Sequence, residues 1–183
     1  MDNLDEIIKY RSRHKSDGII LDSNLLLLFL IGNYNSQLID NYNPISKSRQ
    51  DYSVDDFERL KQILKLFLNK IIITPQIIAE VSNLTITGNR SAYGEQLLGY
   101  IKAVISLMQE MTEHHQSSNC LWGMEIKIIS EFGFTDLTIL ELAKEKRLPI
   151  LTDDFPFFSL AISKKIPTFR FSDYKNSKYK LVN

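Results

Sequence analysis

A single cysteine, Cys120, stands among the 183 residues, which rules out an internal disulfide. The nearest side chains with zinc-ligand chemistry are His114 and His115, a pair at a helix end where histidine usually answers the helix dipole. Cys120 is therefore read as a packing residue and a zinc site is not expected. Long apolar runs are missing as well: the longest, Leu25 to Ile31, covers seven residues, against the roughly 20 that cross a bilayer. No membrane association follows. Met1 to Lys15 mixes acids with bases and has no apolar stretch ahead of small residues, so it does not read as a secretion signal, and a cytoplasmic location is expected. Net charge is also absent, with 22 Lys plus Arg against 22 Asp plus Glu, so overall charge points to no nucleic-acid partner. Internal repeats and low-complexity tracts are lacking too.

What is present is an apolar fraction of 44%, enough for one domain with its own core. The bases are unevenly spread. Lys9, Arg11, Arg13 and Lys15 make residues 1–16 a basic N-terminal extension, and Lys164, Lys165, Arg170, Lys175, Lys178 and Lys180 crowd the C-terminal fifth. If the acids are drawn into one pocket, the remaining surface is basic and suits a phosphate backbone, though solvated termini would look the same.

The periodicity alternates strands with helices. Gly18 to Leu21 reads as a buried strand, followed by a helix over Leu25 to Ile31 that Gly32 and Asn33 end. Residues 33–54, rich in Asn, Tyr and Ser, read as a loop insertion. A helix over Asp55 to Asn69 leads to a strand at Ile71 to Ile73, and Thr74-Pro75 opens the next helix as N-cap and first-turn proline. Ser91 to Glu113 reads as one long amphipathic helix, whose Ile101, Val104, Ile105, Met108 and Met111 exceed what one small core covers, so a homodimer or a bound inhibitor protein is expected. Leu121 to Phe132 is weakly helical, Gly133 breaks the pattern, and Thr135 and Asp136 open a helix to Lys146. Leu148 to Thr152 and Pro167 to Phe171 are the last two strands, with an apolar helical segment from Phe155 to Ile162 between them. Parallel strands need crossover connections, so the fold class is α/β: a single domain, a central parallel sheet flanked by helices.

Asp22 follows Ile19-Ile20-Leu21, and Asp154 follows Ile150-Leu151-Thr152, which sets both at the C-terminal edge of the sheet, where open parallel sheets build their sites. Either alone is more simply a helix cap. Glu80 falls on the inward stripe of its helix with Val81 and Leu84, and Asp136 shares the direction of Ile139, Leu140 and Ala143. A carboxylate facing a core needs a cap, a buried cation or a metal. With no basic residue nearby in sequence, four such acids call for a divalent cation, and oxygen-only ligands suit Mg²⁺ or Mn²⁺. Such ions activate water for attack on a phosphodiester. A metal-free acid cluster repels itself, so Asp22→Asn is expected to leave the fold intact or slightly more stable.

The blocks Ile20-Leu-Asp-Ser-Asn-Leu-Leu, Thr74-Pro-Gln-Ile-Ile-Ala-Glu-Val, Phe134-Thr-Asp-Leu-Thr-Ile-Leu-Glu-Leu-Ala and Leu151-Thr-Asp-Asp-Phe stand in the order of the four signature blocks of PIN-domain nucleases, and residues 19–171 resemble that family. The resemblance implies a metal-dependent endoribonuclease with Asp22, Glu80, Asp136 and Asp154 as metal ligands or water activators. Ser23, Asn24 and Thr152 are then polar contacts to substrate, and Asp153 is a neighbour or substitute ligand. It also implies RNA as substrate and, from the VapC-like toxins, an antitoxin or other inhibitor as partner. The interval from Asp22 to Glu80 is longer than in those toxins; Tyr34, Tyr42 and Tyr52, with Lys47 and Arg49, would let the insertion stack and hold single-stranded RNA. Two other readings stand beside this one. A phosphohydrolase resembling the haloacid dehalogenase group would use Asp22 as nucleophile, but Asn24 replaces the second acid it wants; a non-catalytic PIN-like module would have lost its acids, and all four are here. Trp122 and Met108, Met111 and Met124 are read as core or dimer-face residues.

Overall fold

The computed structural model describes residues 4–14, 18–39, 52–85 and 94–174. Five short strands, β1 (Ile19–Leu21), β2 (Ile71–Ile73), β3 (Thr112–Glu113), β4 (Ile150–Thr152) and β5 (Thr168–Arg170), form one sheet in the order β3-β2-β1-β4-β5. Every pairing is parallel. β1, β2 and β4 are buried at every position because helices cover both faces, as a parallel sheet requires. The chain builds outward from β1 to β2 and β3, then returns to β4 on the other side of β1 and ends on β5. That reversal opens a crevice beyond the C-terminal ends of β1 and β4, at the topological switch point.

Seven helices are described: α1 (Leu4–Arg13), α2 (Ser23–Asn35), α3 (Val54–Leu66), α4 (Pro75–Thr85), α5 (Gly94–Gln109), α6 (Ile126–Lys146) and α7 (Phe155–Ser163). The apolar α2 is the centre of the core, packed among α3, α4 and α5. It runs through Gly32 and Asn33, where the sequence suggests a stop. The Phe57 ring of α3 lies so close to Gly32 that an added Cβ would fall 2.3 Å from it, so this glycine serves helix contact and does not end the helix. Residues 33–39 complete α2 and add one turn of 3-10 helix, and Ser53 caps α3 with a reciprocal Ser53–Asp56 capping box. Of the expected insertion, residues 40–51, including Tyr42, Lys47 and Arg49, lie outside the described residues.

Two more readings change. The basic N-terminal segment is not an extension but α1, held to the core by Leu4 and Ile7 at 1% and 0% exposure. The long amphipathic helix ends at Gln109, and Thr112–Glu113 becomes the edge strand β3, in register with Ile72 and Ile73. A two-residue exposed edge strand carries no apolar pattern to read.

Helices α6 and α7 both close into the next strand through a left-handed residue. Arg147 has φ 56° and Lys165 φ 61°; Leu148 N–H donates to Ala143 O and Ile166 N–H to Ala161 O, both at 3.0 Å. This is the Schellman closure, with a buried apolar residue after the turn in each case. Among the described residues, no helix is long and apolar enough to cross a membrane.

Candidate functional site

Asp22 ends β1 and caps α2. Its Oδ1 accepts from Leu25 N–H at 2.8 Å, so the capping role is real. Its Oδ2 is turned across the switch point to β4, accepting from Thr152 Oγ1 at 2.5 Å and Asp153 N–H at 3.0 Å. The side chain is buried, at 4% exposure. Burial pushes its pKa up to about 6, opposed by the bonds from Thr152, Leu25 and Asp153 N–H, and the Asp153 charge raises it further.

Glu80 projects from α4, whose start is set by Thr74 Oγ1 accepting from Ile77 N–H at 3.2 Å with Pro75 in the first position. No ion pair reaches it among the described residues; Glu80 Oε2 instead accepts from Ser23 Oγ at 2.9 Å. Asp154 caps α7 by accepting from Phe157 N–H at 2.7 Å, with Pro156 in the first turn and its own N–H donating to Thr152 Oγ1 at 3.0 Å.

Asp136 differs from the other three. α6 is broken at Gly133, where φ 78° and ψ 177° leave the helical range, so Asp136 sits in the first turn after a kink, as the sequence suggests. Its carboxylate is half-buried and is not held by any hydrogen bond or ion pair among the described residues. Burial pushes its pKa up to about 8, and the charges of Asp22, Glu80 and Asp154, in that order, raise it too. Three helices and a strand end thus bring four acids within one another's field, and the described residues supply no cation to offset them.

Asp153 lies beside this group, where its charge still acts on Asp22, but its carboxylate has a partner outside it. Its Oδ1 accepts from Ser172 N–H at 2.8 Å and from the Ser172 hydroxyl, which points it toward the end of β5. Thr152 has 0% exposure and both its contacts lie within the site, so it positions Asp22 and the Asp154 backbone and is not open to substrate. Ser23 likewise positions Glu80, and Asn24 is half-buried in the first turn of α2. Tyr52, 5% exposed and edge-on to Phe171 at 6.1 Å, is core and not a platform for bases; Tyr34 meets Tyr100 in the same way.

Ser172 gave no signal in the sequence, because a serine after the last strand looks like any turn residue. Arg170 was hidden within a run of bases. It ends β5 beside Thr152, its guanidinium 5.2 Å from the Phe155 ring centroid and 4.0 Å from Asp173, with a buried Nε that has no hydrogen-bond partner among the described residues.

The donor set fits a hard divalent ion in its chemistry: carboxylate oxygens only, one of them raised to about pKa 8 by burial and by the charges of its acidic neighbours. In the positions seen, no group of three or more His, Cys, Asp or Glu side chains among the described residues stands in ligating geometry. Both Asp22 oxygens are on hydrogen-bond donors, and Asp154 turns one to its helix. Fold and site together define an α/β protein with an acidic cluster at the switch point of a parallel sheet. Compared with family models, curated proteins and solved structures, the chain has no match.

Proposed function

We propose that the protein is a divalent-metal-dependent endoribonuclease, similar to PIN-domain enzymes, with Asp22, Glu80, Asp136 and Asp154 holding Mg²⁺ or Mn²⁺. The observation that carries this reading is Asp136: a half-buried carboxylate with no donor or cation of its own among the described residues, in the field of three other acids. Burying charge in that way costs stability unless a cation arrives. When bound, a divalent ion neutralises the phosphate and makes water nucleophilic near neutral pH.

The chain's own residues supply the frame. Leu25, Thr152 and Asp153 fix Asp22, and Ser23 fixes Glu80. Asp136 keeps its proton near neutral pH until a cation displaces it. Phe134 and Phe155, 56% and 58% exposed, stand within two residues of Asp136 and Asp154 and offer faces on which unpaired bases stack. Single-stranded RNA is accordingly the proposed substrate. The phosphohydrolase alternative loses ground, because a buried Asp22 with both oxygens hydrogen-bonded is a poor nucleophile.

Purified protein is expected to cut single-stranded RNA with Mg²⁺ or Mn²⁺ and to stop when a chelator is in excess. Cutting that persists in chelator eliminates the metal mechanism. The exposed Leu98, Ile101 and Ile105 of α5, at 54%, 36% and 54%, are the proposed seat of a second copy or an inhibitor protein such as an antitoxin. Light scattering should give a dimer mass that Ile105→Glu halves; a wild-type monomer leaves only the inhibitor reading.

A further inference from the structure

Arg13 from the N-terminal run of bases and Lys164 and Lys165 from the C-terminal one, far apart in sequence, meet Lys144 and Arg147 at the opposite end of the sheet from the acids. A cavity of about 490 Å³ lies below β4 and β5, where α1, α6 and α7 all end, and Arg13, His14, Lys144, Arg147, Lys164 and Lys165 line it. No acidic side chain among the described residues does. Lys144 reaches Glu141 at 3.9 Å; Arg13, Arg147, Lys164 and Lys165 have no ion pair among the described residues.

The ordinary reading is that bases settle at helix C-termini to offset the dipole. Three helix ends carry together about −1.5 elementary charges, at about −0.5 each. The four cations without ion pairs exceed that by more than two charges, before Lys144 and His14 are counted. Two of the four also occupy positions that favour another residue. Arg147 and Lys165 are the left-handed closures of α6 and α7, where glycine fits without a Cβ penalty. At the rim, His14 is stacked on Tyr10 with ring centroids 4.6 Å apart and planes 18° apart, and Tyr10 packs edge-on against Phe169.

We propose that this cavity binds an oligophosphate group, carried by a free nucleoside triphosphate or by the 5′-triphosphate end of an RNA. A compact pocket of four to six cations matches several phosphate charges held close together, whereas an extended backbone would need a stripe. The site is independent of the acid cluster, and its test needs no cleavage.

The probe is inorganic tripolyphosphate, titrated into the full chain by calorimetry in chelator at near-physiological salt. Saturable one-to-one binding is expected, with orthophosphate and sulfate far weaker. The double variant Arg147→Gly, Lys165→Gly should bind roughly tenfold more weakly or worse while melting no lower than wild type, because glycine suits both left-handed positions. Arg13→Gln, on another helix, should weaken binding in the same direction without touching either turn. Competition by ATP, or by RNA bearing a 5′-triphosphate but not the same RNA with a 5′-hydroxyl, identifies the source. Absence of saturable binding, equal binding of orthophosphate, unchanged binding by the variants, or failure of both competitors overturns the proposal.

Discussion

Asp136→Asn is expected to melt at a higher temperature than wild type in metal-free buffer at pH 7, by about 2–4 kcal/mol of unfolding free energy, and to lose RNA cleavage. The folded pKa of Asp136 is about 8 against an ordinary value of 3.8. An acid whose folded pKa is raised binds its proton more tightly in the native state, so stability falls as pH rises through that interval. The cost is absent below about pH 4 and complete above about pH 8. At ~1.4 kcal/mol per unit, about three units at pH 7 set an upper figure near 4 kcal/mol. The amide carries no charge, so its advantage over wild type should grow from pH 4 to pH 8. Melting curves across that range in chelator measure this. Mn²⁺ should stabilise wild type more as pH rises and should do little for the variant. A variant that melts lower, or by a margin independent of pH, removes the uncompensated carboxylate on which the functional reading rests.

Asp22→Asn is expected to abolish cleavage as well but to shift stability the other way, by about 1–3 kcal/mol. Asp22 presents two oxygens to three donors, one from Leu25 and two shared by Thr152 and Asp153. An amide has one oxygen. Whichever way it is turned, its NH₂ faces at least one buried N–H, and that unsatisfied group outweighs the relief of charge most clearly near pH 4, where a carboxyl with a folded pKa of about 6 is already protonated and little relief is left. This reverses the expectation from sequence, where charge repulsion alone made the amide harmless. Denaturant unfolding of the two variants side by side gives opposite signs if the geometry is right. An Asp22→Asn protein as stable as wild type would mean that the bonds to β4 contribute nothing, and one that still cuts RNA would defeat the site assignment.

The contrast between these two residues locates what could be read in the sequence. Three buried strands and the crossover helices follow from apolar runs, and the placing of Asp22 and Asp154 from the two runs that lead into an acid, because burial on both faces leaves little choice of residue. The half-buried setting of Glu80 and Asp136 followed from helical periodicity. Hydrogen bonds between distant segments did not. Nothing within Leu151-Thr-Asp-Asp-Phe tells that Thr152 serves Asp22, or that Asp153 turns to Ser172 while Asp154 joins the acids. α1 was missed because Leu4 and Ile7 are too few to rise above its charged residues, and Gly32 was misread because a helix stop and a helix contact call for the same residue. Arg13 and Lys165 share a pocket only because α1 and α7 end at the same edge of the sheet.

The central strand pairs with partners made at very different times. Ile19 and Ile20 meet Ile71 and Ile72, but the other flank waits for Ile150 and Leu151, and the bond that aims Asp22 comes from Thr152, 130 positions later. On the ribosome, β1 and α2 emerge early with apolar faces that no local structure can cover, and such long-range parallel pairing closes slowly. The acid cluster therefore cannot form until Thr152 has been made, 130 positions after Asp22, and before that Asp22 has only its cap on α2 to hold it.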